Sequence, residues 1–297
     1  MPAPYRNTIG GKDPTGVLPG DMAREPCQSA AMNRILILSL CLALAACGGQ
    51  RRSPQPPQPA ASAPTIAVRP ANFGDANPQP AIAGLPQRYP VQGVDLSRFQ
   101  GAVDWPMAHA NGVTFAFLKA TEGGDGVDPA FRDNWAGAAR AGVARGAYHV
   151  FYHCRPAIEQ ARWFAAHVPR DAKAMPPVLD IEWTPTSPTC RTRRDPAVIR
   201  SEVRIFLNAV TARYGQRPVI YTTLDFFHDN DLGRLSGVDF WLRSVAAPLA
   251  TAYPGQAWAF WQYTSTGQVP GISGPVDLNA FAGSAQDWAG WLAARRG

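Results

Sequence analysis

The 297-residue sequence has no apolar run of bilayer-spanning length. The stretch from Ile35 to Ala46 offers about a dozen residues where roughly 20 are needed. Histidine is scarce, and the five present, His109, His149, His153, His167 and His228, show no metal-ligand spacing. No metal and no cofactor is therefore expected. Charged residues make up only 17% of the chain. The net charge of +6 is not gathered into the stripe that nucleic-acid binding requires, so that partner class is excluded. Such mild basicity suits an anionic wall or lipid surface. Cysteine is limited to five residues, too few for a disulfide scaffold.

What is present begins with a targeting pattern. "MNRILILSLCLALAACGGQ", residues 32–50, has a positive Arg34, a short apolar run and small residues before Cys47, the layout of a secretory signal peptide. "LAAC" resembles the lipobox of bacterial lipoproteins, which implies a signal peptide over 32–46 and lipidation at Cys47. Residues 1–31 show no targeting or folding pattern, and Met32 is the expected start. Residues 47–88 are rich in Pro, Ala and Gln and read as a disordered tether. Gly48 after the cysteine implies, by resemblance to lipoprotein sorting, a periplasm-facing domain at the outer membrane rather than the inner.

The remaining segment, 89–297, has the length of one domain. Short apolar runs at 92–97, 114–121, 146–152, 176–183, 218–223, 240–245, 259–265 and 274–281 read as eight strands. Helical patterns at 128–142, 157–168 and 195–215 separate the earlier ones. This alternation predicts an α/β fold, a single irregular β/α barrel of eight strands with few helices in its C-terminal half. In such barrels the active site gathers at the C-terminal ends of the strands. Asp95, Glu122, Tyr148, Asp180, Glu182, Tyr221, Gln262 and Asp277 all fall in or beside predicted strands.

"PPVLDIEW", residues 176–183, poses the chemical question. Asp180 and Glu182 interrupt a run that otherwise suits a buried strand. At i and i+2 they face the same side, with Cβ atoms about 6 to 7 Å apart, the range of two carboxyl groups flanking a glycosidic bond. The alternative is that the strand ends at Leu179 and both acids are solvated.

The ordered set "GVDLSRFQG", "FLKATEG", "GAYHVFY", "PPVLDIEW", "PVIYT" and "FWQYTSTGQVPGISGPVDLNAF" resembles glycoside hydrolase family 25, the Chalaropsis-type lysozymes or muramidases. The resemblance implies hydrolysis of the β-1,4 bond between N-acetylmuramic acid and N-acetylglucosamine in peptidoglycan glycan strands. It makes Glu182 the proton donor and Asp180 its partner, with Asp95 and Asp277 as the other site carboxylates. Asp180 either attacks the anomeric carbon or orients the substrate's 2-acetamido group, and the second is favoured. Tyr148, Tyr221, Trp183 and Trp261 contact sugar or simply pack the barrel. A buried Gln262 amide needs partners. Glu122 accepts a substrate hydrogen bond or pairs with Lys119. Val150 departs from the aromatic residue that often follows "YH" in the family. Cys154 and Cys190, in a domain beyond a signal peptide, are expected to form a disulfide between loops leaving the third and fourth strands. A monomer is expected. The rival reading is a catalytically silent lipoprotein that holds peptidoglycan in the same groove.

Overall fold

The computed structural model describes residues 68–295. The upstream stretch 1–31, the signal-like segment 32–46, Cys47 and the tether as far as residue 67 lie outside the described residues.

Eight strands form the barrel: β1 Gln92–Leu96, β2 Phe115–Glu122, β3 Ala144–Val150, β4 Val178–Asp180, β5 Val219–Thr222, β6 Phe240–Arg243, β7 Phe260–Gln268 and β8 Val276–Phe281. The sheet runs β7-β8-β1-β2-β3-β4-β5-β6 and closes through β6–β7 pairing. Strands β1 to β7 are parallel, whereas β8 is antiparallel to both β7 and β1. The reason is the short turn at 269–275: a parallel return needs a crossover of a dozen or more residues, and this turn allows only a hairpin. As a result β8 begins at the mouth where the other strands end, and Asp277 lies opposite Asp95.

Seven helices accompany the strands: α1 Trp105–Ala110, α2 Phe131–Ala141, α3 Ala157–His167, α4 Pro196–Tyr214, α5 Leu224–Asp229, α6 Leu249–Ala252 and α7 Ala285–Arg295. Helices α2, α3 and α4 fall inside the expected ranges. Asp195 caps α4 by accepting from the Ala197 N–H, Pro196 opens it, and Gly215 ends it at φ 75°. Helices α5 and α6 are short, so the C-terminal half is poor in helix, as the sequence predicts.

Alternation along the strands sorts the core. Phe115, Phe117, Tyr148, Val178, Val219, Tyr221, Trp241 and Phe260 form one buried cluster inside the barrel. Trp288 and Leu292 of α7 join it, with Trp288 against Phe115, Phe260 and Phe281, and close the N-terminal end. Gly93 admits Phe115: a Cβ there would lie 2.6 Å from that ring. Residues of opposite parity, among them Leu118, Leu179 and Ile220, pack outward with Phe164 and Phe206.

Two differences from the sequence reading matter. Strand β4 stops at Asp180, short of the expected 183, although the Ile181 N–H still donates to the Tyr221 carbonyl at 3.0 Å. And the end of the expected tether packs on the domain instead of hanging free. Gly74–Asp75 pairs antiparallel with Gly267–Gln268, Asp75 accepts from the Thr266 hydroxyl at 2.6 Å, and Ile82 is buried. Those contacts, with Phe73 and Leu85 packed on the core beside Ile82, are a strand edge and a few irregularly spaced apolar anchors, which make no periodic sequence signal.

Candidate active site

At the mouth, inward parity brings Asp95 of β1, Lys119 of β2, Tyr148 of β3, Asp180 of β4, Tyr221 of β5, Arg243 of β6, Gln262 of β7 and Asp277 and Asn279 of β8 to one place. A hydrogen-bonded chain forms the floor. The Tyr221 hydroxyl donates to Gln262 Oε1 at 2.9 Å, and Gln262 Nε2 donates to Asp95 Oδ2 at 2.9 Å. From the other side Asn279 Nδ2 donates to the same oxygen at 2.8 Å, while Asn279 Oδ1 accepts from Trp241 Nε1 at 2.7 Å. Asp95 of β1 is thus held by two donors on one oxygen, from β7 and β8, and every amide in the chain is partnered.

The other carboxylates are less satisfied. Asp180 Oδ1 is buried with no hydrogen-bond partner. Among the described residues the Glu182 carboxyl has neither a hydrogen bond nor an ion pair, although the Glu182 carbonyl is held by His153 Nε2 at 2.9 Å. Burial raises the proton affinity of all four acids. It takes Asp95 to about 6 against the hydrogen bonds from Asn279 and Gln262. It takes Glu182 to about 6, with Arg243 pulling down and Asp225 and Asp95 pushing up. Asp277 goes to about 8, through burial and then the charge of Asp95. Asp180 is raised by burial and then by Glu182. Near neutral pH the mouth therefore holds fewer negative charges than carboxyl groups.

The remaining expected residues divide. The Tyr148 ring sits in the interior cluster, and burial followed by the charges of Asp95, Asp180 and Asp277 raises its hydroxyl's proton affinity, which places it among the acids. Glu122 pairs with Lys119 at 2.6 Å, the second of its two expected roles. Trp183 is half buried behind Glu182, packed on Phe226 and His153, with Nε1 donating to Asp229 at 2.8 Å. Trp261 is not brought to the mouth. It faces outward, donating Nε1 to the Ser244 carbonyl at 2.8 Å, because its neighbour Gln262 takes the inward direction. Cys154 and Cys190 are bonded, with Cα atoms 5.7 Å apart.

Arg243, Asn279 and His153 were not singled out from sequence as site residues. Arg243 carries the same signal as Asp180, a lone charge at the end of an apolar run, and Asn279 shares a face with Asp277.

Acids of raised proton affinity across the mouth of a β/α barrel, three of them, Asp180, Glu182 and Asp277, without a hydrogen bond or ion pair among the described residues, make up the equipment of a carboxylate-dependent glycosidase. The sequence profile of the glycosyl hydrolases family 25 matches residues 94–272. Lysozyme M1 of Streptomyces globisporus is 36% identical over 228 residues, 71% of this chain and 74% of that protein. The protein YegX of Escherichia coli O6:H1 is 37% identical over 213 residues, 70% of this chain and 75% of its own. The crystal structure of the lysozyme from Streptomyces coelicolor superposes with a TM-score of 0.61 at 35% identity, covering 69% of this chain and 97% of that one. The chain belongs to glycosyl hydrolase family 25.

Proposed function

We propose that the domain is a peptidoglycan muramidase, cleaving the β-1,4 bond on the reducing side of N-acetylmuramic acid. The observation that carries this reading is the mouth itself, with Asp95, Asp180, Glu182 and Asp277 all retained and Glu182 unencumbered. A wall-binding protein without activity has no need of a partner-free acid whose proton affinity burial has raised to about 6.

In the proposed reaction Glu182, protonated, donates to the leaving glycosidic oxygen, and its carboxylate then takes a proton from the incoming water. Asp180 Oδ1, buried and unpartnered, accepts the N–H of the substrate's 2-acetamido group, whose carbonyl oxygen attacks the anomeric carbon. The Tyr221–Gln262–Asp95–Asn279 chain keeps the floor rigid, so the acids do not reorganise during the step. Purified peptidoglycan digested by the domain should yield fragments with N-acetylmuramic acid at the reducing end. Fragments ending in N-acetylglucosamine, or binding without cleavage, would reject the reading. A glycosyl ester trapped on Asp180 would replace acetamido attack by direct nucleophilic attack.

We further propose that the enzyme is a monomer on a lipid anchor at Cys47, facing the periplasm from the outer membrane, a reading supported by the signal-like segment and the lipobox sequence. The 47–67 stretch would let it reach the wall. Cys47→Ser should release it from the membrane fraction, and an unmodified mature chain by intact mass would refute the anchor.

A further inference from the structure

The segment that leaves the catalytic loop carries a second feature. Between Cys190 and the α4 cap Asp195 the sequence reads Arg-Thr-Arg-Arg, three cations at 191, 193 and 194 in the loop between β4 and α4, at the C-terminal end of the barrel strands. The segment is held at both ends, by the Cys154–Cys190 disulfide and by the Asp195 side chain accepting from Ala197. Arg191 Nε donates to the Ser187 carbonyl at 2.7 Å. The Arg193 guanidinium lies 4.5 Å over the ring of Trp183, the residue that follows Glu182. Arg194 is near enough to His153, which holds the Glu182 carbonyl, to lower its proton affinity.

These cations have little to do within the protein. Arg191 and Arg194 make no ion pair among the described residues, and Arg193 meets only Asp229, at 3.7 Å. Solvated surface charge would be the plain alternative, but stacking on Trp183 fixes the planar fork of Arg193 in the loop that follows Glu182. A polymer of acetamido sugars is uncharged as long as its lactyl groups are joined to peptide. Its negative charge resides in substituents, the peptides joined to the lactyl groups of muramic acid, which recur at every second sugar and carry free carboxylates. A pre-positioned arginine fork is suited to binding such groups.

We propose that Arg191, Arg193 and Arg194 form a subsite at the cleft rim for the carboxylates of the peptide on a muramic acid residue near the scissile bond. The inference rests on the muramidase reading and gives it a substrate preference: glycan that still bears its peptides over glycan that has been stripped.

The test compares kcat/KM on purified peptidoglycan fragments with kcat/KM on the same fragments after amidase removal of the peptides, which takes away the several peptide carboxylates and leaves one lactyl carboxylate on each muramic acid. The wild-type protein should prefer the peptide-bearing substrate, with the preference shrinking as salt rises and screens the contacts. In the triple variant Arg191→Gln/Arg193→Gln/Arg194→Gln the ratio of the two values should fall by about tenfold, the loss of two or three exposed charge pairs. The corresponding triple Lys variant should recover part of it. Because a ratio is read, any general loss of folded protein cancels. If the wild type cleaves both substrates and the ratio does not move in the Gln variant, the subsite is wrong and the muramidase reading stands. If the wild type cleaves neither, the muramidase reading fails and the subsite falls with it.

Discussion

At the scale of single residues, the proposed proton donor owes its state to what surrounds it and what does not touch it. Glu182 is buried with Asp225 and Asp95 nearby, and against their push only the charges of Arg243 and Lys119, with no hydrogen bond, favour its ionised form. Glu182→Gln keeps the shape and removes the proton, so turnover should drop by about 10² to 10⁴ while circular dichroism and glycan binding remain. Activity near wild type would sink the assignment. Asp180→Asn should be less damaged if Asp180 orients the acetamido group. For the same reason kcat/KM should fall as pH rises through about 6, where free Glu182 loses its proton. Much of this was legible in the sequence: an acid inside an apolar strand costs free energy unless it is used, so Asp180 declared itself. Trp261 shows where the reading failed. Adjacent residues of a strand face opposite sides, so Trp261 and Gln262 were never both eligible for the cleft, and strict parity would have separated them. Asn279 lay hidden because an amide in a strand carries no charge to mark it.

Among elements, the loop between β4 and α4 has the most to hold. It runs on from Glu182 without regular structure, and two tethers tie it to the segment after β3. His153, the residue before Cys154, donates from Nε2 to the Glu182 carbonyl. Within the loop the Thr184 hydroxyl donates to the Cys190 carbonyl at 2.8 Å. The second tether is the Cys154–Cys190 bond, spanning 36 positions. By loop-closure entropy it should stabilise the domain by about 3 to 4 kcal/mol. A Cys154→Ser/Cys190→Ser variant should therefore lose roughly 10 °C in Tm and bind glycan modestly more weakly, with its carboxylates intact. An unchanged Tm by calorimetry would mean that the loop is held by its hydrogen bonds alone. The parallel half of the barrel was readable because helical patterns separate its strands, the clearest being α4 with its Asp195 cap and Gly215 stop. The final hairpin was not: nothing in "GPVDLNAF" announces direction, and only the brevity of the 269–275 turn forces β8 to run backwards. The 68–88 stretch escaped for a different reason, since it docks through single contacts such as Ile82 rather than through a repeating face.

For the whole molecule, the consequence of gathering four acids in one mouth is a dependence of stability on pH. Asp277 has its folded-state value raised to about 8 by burial and by Asp95, against an ordinary 3.8. A raised acid binds its proton more tightly in the folded state, so its contribution is fully present below about pH 4 and is lost as pH climbs through 8. His149 works in the opposite direction. Buried between β3 and α4, hydrogen-bonded to Thr121 and Gln160 and stacked on Phe206, it is depressed to about 4 and opposes folding only as pH falls below 6.5. The two effects overlap between pH 4 and 6.5, and Asp95 and Glu182, both near 6, add to that overlap. Above pH 6.5 two acids remain, Asp277 and Asp180, the latter raised well above its ordinary value by burial and by Glu182; Asp277's share can be sized. From there to pH 8 each unit costs up to about 1.4 kcal/mol, roughly 2 kcal/mol in all, or about 4 to 8 °C in Tm for a domain of this size. Asp277→Asn has no proton to lose at that position, so its Tm should fall less steeply than the wild type's over the same window, the residual slope coming from Asp180. Parallel Tm curves for the two proteins from pH 6.5 to 8 would show that Asp277 ionises freely in the folded state and that the mouth tolerates its full negative charge.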